Sequence, residues 1–195
     1  MDDTEAKRQI SDVMRRMYSR NMISTFAGNA SARDSTGKNF WITPTGSDKS
    51  NVDSEKMAGV SIDDGKSLNQ NVPSSEYRLH LAIYRKIDRA DAIVHSHAPF
   101  TIAAAEENLI DRAVHASYEE SSYISNIGIV DAIQPGTYEL ADSVAERFTD
   151  KSVTVVIMKK HGSVAIGRDL YEALNRIEVL EHISELAVLE KLMEK

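Results

Sequence analysis

Residues 91–97 read Asp-Ala-Ile-Val-His-Ser-His, a short apolar run that ends in two histidines separated by one residue. The isoleucine and valine before His95 indicate a buried β-strand, and alternate residues of a strand lie on the same face. The imidazoles of His95 and His97 are therefore directed to one point, as two ligands of a single metal ion must be. This pattern requires an interior strand that ends at an open site, although a His-x-His pair on a strand edge also arises by chance.

Two other segments contain residues that would complete such a site. Glu76 ends the upstream run Pro73-Ser74-Ser75-Glu76, and His161 lies downstream in Lys159-Lys160-His161-Gly162. Imidazole nitrogens and a carboxylate oxygen are ligands that zinc and similar metals accept. The sequence therefore predicts a metal site built from three histidines and one glutamate.

Composition narrows the class of protein. A chain of 195 residues is expected to form one domain over residues 1–195. It contains no cysteine, which excludes disulfides, thiolate metal ligands and cysteine nucleophiles. The net charge of −7 gives no indication of a nucleic acid or an anionic membrane as partner, but it leaves room for a phosphorylated small molecule held by local positive charge. The acidic N-terminus lacks an apolar signal region, and no run approaches ~18 apolar residues, so we expect a cytoplasmic protein.

Periodicity and turn residues predict a mixture of helices and strands. Helices are indicated by apolar residues three and four apart, and strands by short apolar runs. The predicted helices cover residues 4–20, 76–87, 100–107, 138–148 and 170–193, and the predicted strands cover residues 40–43, 93–97, 153–158 and 164–166. Residues 24–33 are rich in small side chains, and residues 111–134 are typical of strand and loop. Because strands and helices do not alternate strictly, a sheet covered by helices is favoured over a doubly wound fold.

Three short polar segments are typical of turns: Gly28-Asn29, Thr45-Gly46 and Ser74-Ser75. The serines precede a predicted helix, where the simplest interpretation is an N-cap. A helix N-terminus also binds phosphate through its free N–H groups and its dipole, and serine hydroxyls would add donors. Both interpretations remain open from these residues alone.

Taken together, these segments resemble the class II aldolase/adducin family. The resemblance rests on Gly28-Asn29-Ala30-Ser31, Ile42-Thr43-Pro44-Thr45-Gly46, Pro73-Ser74-Ser75-Glu76, Val94-His95-Ser96-His97 and His161-Gly162, in that order, before a final Glu- and Leu-rich helix. It implies a three-layer α/β/α fold around a mixed, largely antiparallel central sheet. It also implies a homotetramer with active sites at the subunit interfaces.

The resemblance further implies a ligand set and an activity. One zinc ion per subunit would be bound by Glu76, His95, His97 and His161. The substrate phosphate would be held by Gly28, Asn29, Thr45, Gly46, Ser74 and Ser75. The implied reaction is reversible cleavage of a ketose 1-phosphate, such as fuculose 1-phosphate, to dihydroxyacetone phosphate and a small aldehyde through a zinc-stabilised enediolate. Glu76 would leave the metal and act as the base, or would serve only as a ligand.

The acid that protonates the aldehyde oxygen is less well matched. In the family a tyrosine has this role, and Tyr118 occupies approximately its position, with Tyr123 as a weaker match. Glu119 or Glu120 would take the role instead if the chain were a methylthioribulose-1-phosphate dehydratase. Because the printed sequence ends at Lys195, we also expect that it lacks the C-terminal extension that contributes to aldehyde handling in many relatives.

Other members of the family suggest alternative functions. Sugar-phosphate 4-epimerases carry aspartate at the position of Glu76, which favours the aldolase. Adducin-like interaction modules keep the fold but lose the metal ligands, all of which are present here. His80 lies four residues after Glu76 on the predicted helix, and we expect it to pack or hydrogen-bond along that helix rather than bind metal.

Overall fold

The computed structural model describes residues 2–124 and 126–194. Met1, Ser125 and Lys195, which the predicted single domain includes, lie outside them. The helices are α1 (Asp3–Ser19), α2 (Tyr77–Lys86), α3 (Pro99–Glu106), α4 (Ile110–Ala113), α5 (Tyr118–Ser121), α6 (Tyr138–Arg147) and α7 (Leu170–Met193). The strands are β1 (Asn29–Arg33), β2 (Asn39–Ile42), β3 (Ala58–Ser61), β4 (Ala92–Ser96), β5 (Asn126–Val130), β6 (Val153–Met158) and β7 (Gly162–Gly167). No helix within the described ranges combines the length and apolarity needed to span a membrane.

The strands form one sheet in the order β3-β2-β1-β4-β7-β6-β5. Every neighbouring pair is antiparallel except β5 and β6, which are parallel. The predicted mixed, largely antiparallel sheet is thus confirmed. Strand β6, which is apolar except for Thr154, lies between β5 and β7, where both of its faces are covered.

Helices cover both faces of the sheet, which gives the predicted three layers. Val94 and Ala165 pack on the face covered by α1, α3, α4 and α7. Ile93 and Val164 pack on the opposite face, which α2 and α6 cover. Successive side chains of a strand point to opposite faces. A central strand with apolar residues on both faces, such as β4 or β7, therefore contributes to two separate cores.

Two strands and two short helices were not indicated by periodicity. Strand β1 lies in the small-residue segment and is buried between β2 and β4, so small apolar and polar residues occupy both faces and no alternation is visible. Strand β3 lies at the sheet edge and has only four residues. The region assigned to strand and loop contains α4 and α5, each a single helical turn of four residues, followed by β5.

The antiparallel pairing brings three chain segments to one end of the sheet. Asn29 at the start of β1 is opposite His95 near the end of β4. Ser96 is in turn opposite Ser163 near the start of β7. His95 shares the face of Ile93, over which α2 begins directly after Glu76. Residues far apart in the sequence therefore meet where β1, β4 and β7 end or begin.

Candidate metal centre and adjoining cavity

The four residues predicted as metal ligands converge. One ligand atom from each of Glu76, His95, His97 and His161 lies within 4.8 Å of all the others. Glu76 Oε2 is 3.1 Å from His95 Nε2, and Glu76 Oε1 is 3.0 Å from His161 Nε2. His95 Nε2 and His97 Nε2 are 3.0 Å apart. Ligands at the usual zinc distances of ~2.0–2.2 Å are separated by roughly 3.3 Å on a tetrahedron, so these spacings suit one such ion.

A hydrogen bond of His95 to the backbone determines which of its ring nitrogens carries the hydrogen and which one faces the other metal ligands. Its Nδ1 lies 2.9 Å from the carbonyl oxygen of Ser163, which can only accept, so Nδ1 carries the hydrogen. In the neutral ring Nε2 is then bare, although it faces the Glu76 carboxylate and His97 Nε2. A bare ring nitrogen and a carboxylate oxygen cannot face each other at this distance without a proton or a cation between them. Donation of the second ring N–H to a backbone carbonyl is typical of metal-binding histidines.

Burial and mutual charge set the protonation of the cluster. Burial by itself raises the pKa of Glu76, but His95 and His161 outweigh it and hold that pKa well below its usual value. Burial also acts to lower the pKa of His95, and the Glu76 carboxylate reverses this and raises it. Burial, followed by repulsion from His95 and His161, lowers the pKa of His97 to about 3. The cluster therefore offers an ionised Glu76 carboxylate and a neutral His97 imidazole, and a bound metal ion would take the place of the proton that the raised pKa favours on His95.

A cavity of about 340 Å³ adjoins the metal ligands. Glu76, His97 and His161 contribute to its wall, whereas His95 is fully buried behind it. The six residues predicted to hold phosphate all line the same cavity: Gly28, Asn29, Thr45, Gly46, Ser74 and Ser75. This volume suits a small metabolite, since ligand pockets generally have ~300–1,000 Å³. The structure thus places both predicted groups at one site.

Backbone conformation explains one glycine of the cavity wall. Gly28 has a φ of +71°, and a Cβ there would lie 2.6 Å from Ile23 Cγ2 and 3.0 Å from the carbonyl oxygen of His95. Any larger residue would be strained and would push the 28–29 turn away from β4. The glycine thereby allows Asn29 to enter β1 beside the metal ligands.

The serines before α2 contact the start of that helix. Ser74 Oγ accepts a hydrogen bond of 3.3 Å from the Glu76 N–H, and the Ser74 carbonyl accepts from the Tyr77 N–H at 2.9 Å. Glu76 is the N-cap of α2, and no side chain caps this helix. The capping interpretation therefore holds only for the turn that Ser74 makes, and the N-terminal end of α2 begins next to the cavity residues Ser75 and Glu76.

A chain of buried hydrogen bonds leads from α2 to the Glu76 carboxylate. Asn29 Nδ2 donates to Glu76 Oε2 at 3.0 Å, and Asn29 Oδ1 lies 2.5 Å from His80 Nε2. On the other side of the ring, His80 Nδ1 is 2.6 Å from Ser31 Oγ, which in turn is 2.8 Å from the Tyr84 hydroxyl. His80 was expected to pack or hydrogen-bond along its helix; it is buried, but its hydrogen-bond partners Asn29 and Ser31 lie on β1.

Chemistry determines the direction of this chain. Because Asn29 Oδ1 only accepts, His80 Nε2 carries the hydrogen, and a neutral His80 then accepts at Nδ1 from the Ser31 hydroxyl. Ser31 has a single hydrogen to give, so its oxygen accepts from Tyr84. Burial, followed by repulsion from His95, lowers the pKa of His80 to about 3, which keeps the ring neutral. The amide of Asn29 is thereby held with its NH₂ group toward Glu76.

Tyr118, the predicted acid, lies outside this cavity. It begins α5 and is fully exposed. Its catalytic role therefore stays a prediction that requires a second subunit or a movement of α5. Tyr123 is also exposed and contributes nothing to the cavity wall.

The cavity wall also contains Lys49, Phe26 and the Pro135-Gly136 turn, none of which was predicted from the sequence. Lys49 is only 3 % exposed. A lysine three residues after a predicted phosphate-binding turn was the signal that would have identified it. Pro135 and Gly136 come from a loop before α6, and no local pattern connects that loop to Glu76.

Comparison with known proteins agrees with this arrangement. The family model for the class II aldolase and adducin N-terminal domain matches residues 8–188. An L-fuculose phosphate aldolase of Methanocaldococcus jannaschii is 32% identical over 190 residues, which cover 97% of this chain and 99% of the relative. A 3-oxo-tetronate 4-phosphate decarboxylase of Escherichia coli is 30% identical over 185 residues, which cover 92% of this chain and 84% of the relative.

Among solved structures, a sugar-phosphate aldolase of Thermotoga maritima superposes with a TM-score of 0.86. It is 25% identical in sequence, and the match covers 98% of this chain and 97% of the other. The chain therefore belongs to the class II aldolase/adducin family, and the resemblance carried by its short motifs is confirmed.

Proposed function

We propose that this protein is a zinc-dependent lyase that reversibly cleaves a ketose 1-phosphate to dihydroxyacetone phosphate and a small aldehyde. The observation that carries the proposal is the position of the His₃Glu cluster beside a cavity lined by small polar turns. The donor set suits zinc, and His95 Nε2, which faces the Glu76 carboxylate, requires a proton or a cation beside it. A zinc ion held there would act as a Lewis acid on the hydroxyketone oxygens.

The residues of the chain supply the remaining chemistry. In the direction of synthesis, a base takes a proton from the carbon beside the ketone of dihydroxyacetone phosphate, and that carbon then attacks the aldehyde. Glu76 is ionised at neutral pH and borders the cavity, which suits it to take this proton. Asn29 donates to Glu76 Oε2 and so orients the carboxylate. Cleavage is the reverse, with Glu76 returning the proton.

We assign phosphate binding to the part of the cavity wall that the turns at residues 45–46 and 74–75 form. Thr45, Gly46, Ser74 and Ser75 line one cavity, where their hydroxyl groups and the backbone N–H groups of Gly46 and Ser75 are donors for one anion. The positive end of the α2 dipole favours negative charge at the same place. Binding the phosphate there would leave the ketose carbons toward His97, His161 and Glu76.

A decarboxylase is the second candidate, because the 30% identical relative acts on a 3-oxo acid phosphate. Loss of carbon dioxide from a 3-oxo acid also leaves negative charge beside a carbonyl, so the same electrophile and anion site would serve both reactions. The reactions differ in the group that leaves, and an aldolase needs an acid for the aldehyde oxygen. Tyr118, supplied by a neighbouring subunit of a homotetramer, is our choice for that acid.

The test is to incubate zinc-loaded protein with dihydroxyacetone phosphate and L-lactaldehyde, and to follow fuculose 1-phosphate by mass spectrometry and carbon NMR. We expect product formation that a chelator abolishes. A parallel incubation with 3-oxo-tetronate 4-phosphate, monitored for carbon dioxide, tests the second candidate. Release of carbon dioxide without any aldol product would show that the decarboxylase, and not the aldolase, is the function of this protein.

A further inference from the structure

Lys49 is a buried cation in the wall of the cavity beside the metal centre. It is 3 % exposed, and it lines the cavity together with Thr45, Gly46 and Ser74. Its backbone N–H donates to the Thr25 carbonyl at 2.9 Å, which fastens the loop that follows β2. Among the described residues that line this cavity, Lys49 is the only lysine or arginine.

The ammonium group of Lys49 is incompletely partnered. Nζ lies 3.0 Å from the Ser47 carbonyl oxygen and 2.8 Å from Ser47 Oγ, which itself donates to the Pro44 carbonyl at 2.9 Å. An ammonium has three N–H donors, so one remains without an acceptor in the described chain. Within residues 2–124 and 126–194 no carboxylate oxygen lies within 4.0 Å of Nζ.

Burying such a charge without a counter-ion is costly. Burial lowers the pKa of Lys49, and Asp48 opposes this only in part. A buried ammonium group is stabilised when an anion binds next to it, and the phosphate dianion of a substrate would be such an anion. Apart from Lys49, the residues assigned to the phosphate are uncharged, and Glu76 adds a negative charge to the same cavity.

We propose that Lys49 supplies the positive charge of the anion site and selects substrates that carry a phosphate dianion. This inference rests on the proposed function, whose anion site it completes. The third N–H of Nζ would donate to a phosphate oxygen, while the two bonds to Ser47 hold the ammonium in place. Lys49 is thus a specificity-determining residue through its charge rather than through its support of the loop.

Two substitutions separate charge from loop support. Lys49→Gln keeps two N–H donors for Ser47 and removes the charge. Lys38→Gln makes the same change in net charge at an exposed position that contributes nothing to the cavity. Circular dichroism and thermal unfolding establish that both variants are folded.

The measurement is calorimetric titration of the full-length protein with inorganic phosphate, with zinc bound and after zinc removal. The zinc-free arm excludes coordination of phosphate to the metal. We expect Lys49→Gln to raise the Kd for phosphate about 10- to 100-fold in both arms, the effect of losing one charge-assisted hydrogen bond. Lys38→Gln should stay within about 2-fold of wild type, because screened surface charges have little effect.

A measurement on the wild-type protein does not depend on the folding of any variant. The ¹⁵Nζ resonance of Lys49 should shift on addition of phosphate, and that of Lys38 should not. An unchanged Kd in Lys49→Gln, or an unmoved Lys49 resonance at saturating phosphate, overturns the inference and leaves the lyase proposal standing. Conversely, Lys49-dependent phosphate binding in a protein that cleaves no ketose phosphate would support the anion site and reject the lyase.

Discussion

Gly162 and Ser96 approach each other so closely that no side chain fits between them. A Cβ on Gly162 would lie 2.0 Å from the Ser96 carbonyl oxygen and 3.2 Å from the Cα of His97. This approach brings the start of β7 against the end of β4, and with it His161 against His97, whose ring centroids are 5.0 Å apart. The spacing of the metal ligands therefore depends on a glycine that ligates nothing.

Gly162→Ala should disrupt the metal centre without altering a ligand. The added methyl group must push β7 from β4, which we expect to lower the free energy of unfolding by about 1–3 kcal/mol. Zinc affinity should fall as well, because His161 moves with β7. Gly37→Ala is the control, since a Cβ at Gly37 would meet nothing within 4 Å although φ is +71°. Equal zinc affinity in Gly162→Ala and wild type would show that the close contact between Gly162 and Ser96 does not determine the geometry of the metal centre.

His95→Ala should remove metal retention. His95 faces both Glu76 and His97, and it is the one ligand held by a backbone carbonyl on β7. Loss of a partner that only orients a ligand costs about 10–100-fold in metal affinity, so loss of the ligand itself should cost at least about 100-fold. Zinc content is measured by mass spectrometry after gentle purification, with exposed His182→Ala as the control. Full zinc and full turnover in His95→Ala would reject the centre.

Glu76→Gln tests the base separately from the aldehyde chemistry. Incubation with dihydroxyacetone phosphate in heavy water should exchange the carbon-bound hydrogen for deuterium, observed by proton NMR. The amide cannot take this proton, so we expect exchange to slow about 10²- to 10⁴-fold. Glu119→Gln, an exposed carboxylate, should exchange as wild type does. If zinc is retained and exchange is within 10-fold of wild type, Glu76 is a ligand only.

His80 should make the protein acid-sensitive. The pKa of His80 is about 3 in the folded state, below the ordinary histidine value near 6.5, so between these pH values the unfolded chain binds one more proton. Stability should therefore be fully present above about pH 6.5 and fall by about 1.4 kcal/mol per pH unit toward pH 3. His80→Gln keeps an N–H donor for Asn29 Oδ1, but glutamine does not take up a proton in this pH range.

Urea unfolding at pH 4, 5 and 6, with the same metal state for both proteins, measures this difference. The wild-type stability should fall more steeply than that of His80→Gln by about 1.4 kcal/mol per pH unit. Protonation of the metal ligands contributes to both proteins and cancels in the comparison. Parallel pH profiles would mean that His80 is not held neutral by its buried partners.

Tyr118→Phe tests the assignment of the acid. If the hydroxyl protonates the aldehyde oxygen, cleavage and synthesis should slow about 10²-fold or more, whereas deuterium exchange into dihydroxyacetone phosphate should be unchanged. Tyr18→Phe, on α1, is the control. Wild-type rates in Tyr118→Phe would exclude this residue and direct mutagenesis to Glu119 and Glu120. Light scattering in solution tests whether the predicted homotetramer forms.

Elements with a strong local signal were predicted well. The apolar strand β6 and the long helix α7 were predicted with the bounds that the structure has, since each is long and distinctly patterned. Strand β1 was missed because both of its faces are buried by small residues. His80 was expected to pack or hydrogen-bond along its own helix, whereas its bonds to Asn29 and Ser31 depend on how α2 lies across β1.

The sequence by itself determined the kinds of groups available: two imidazoles on one strand face, a carboxylate before a helix and three small polar turns. These follow from the periodicity of single elements, which a local segment encodes. Only the tertiary structure decided that Glu76 and His161 meet His95, that Asn29 is oriented by His80, and that Lys49 lies in the cavity wall with no carboxylate partner among the described residues. Those relations depend on strand register and on the packing of distant segments, which no local pattern specifies.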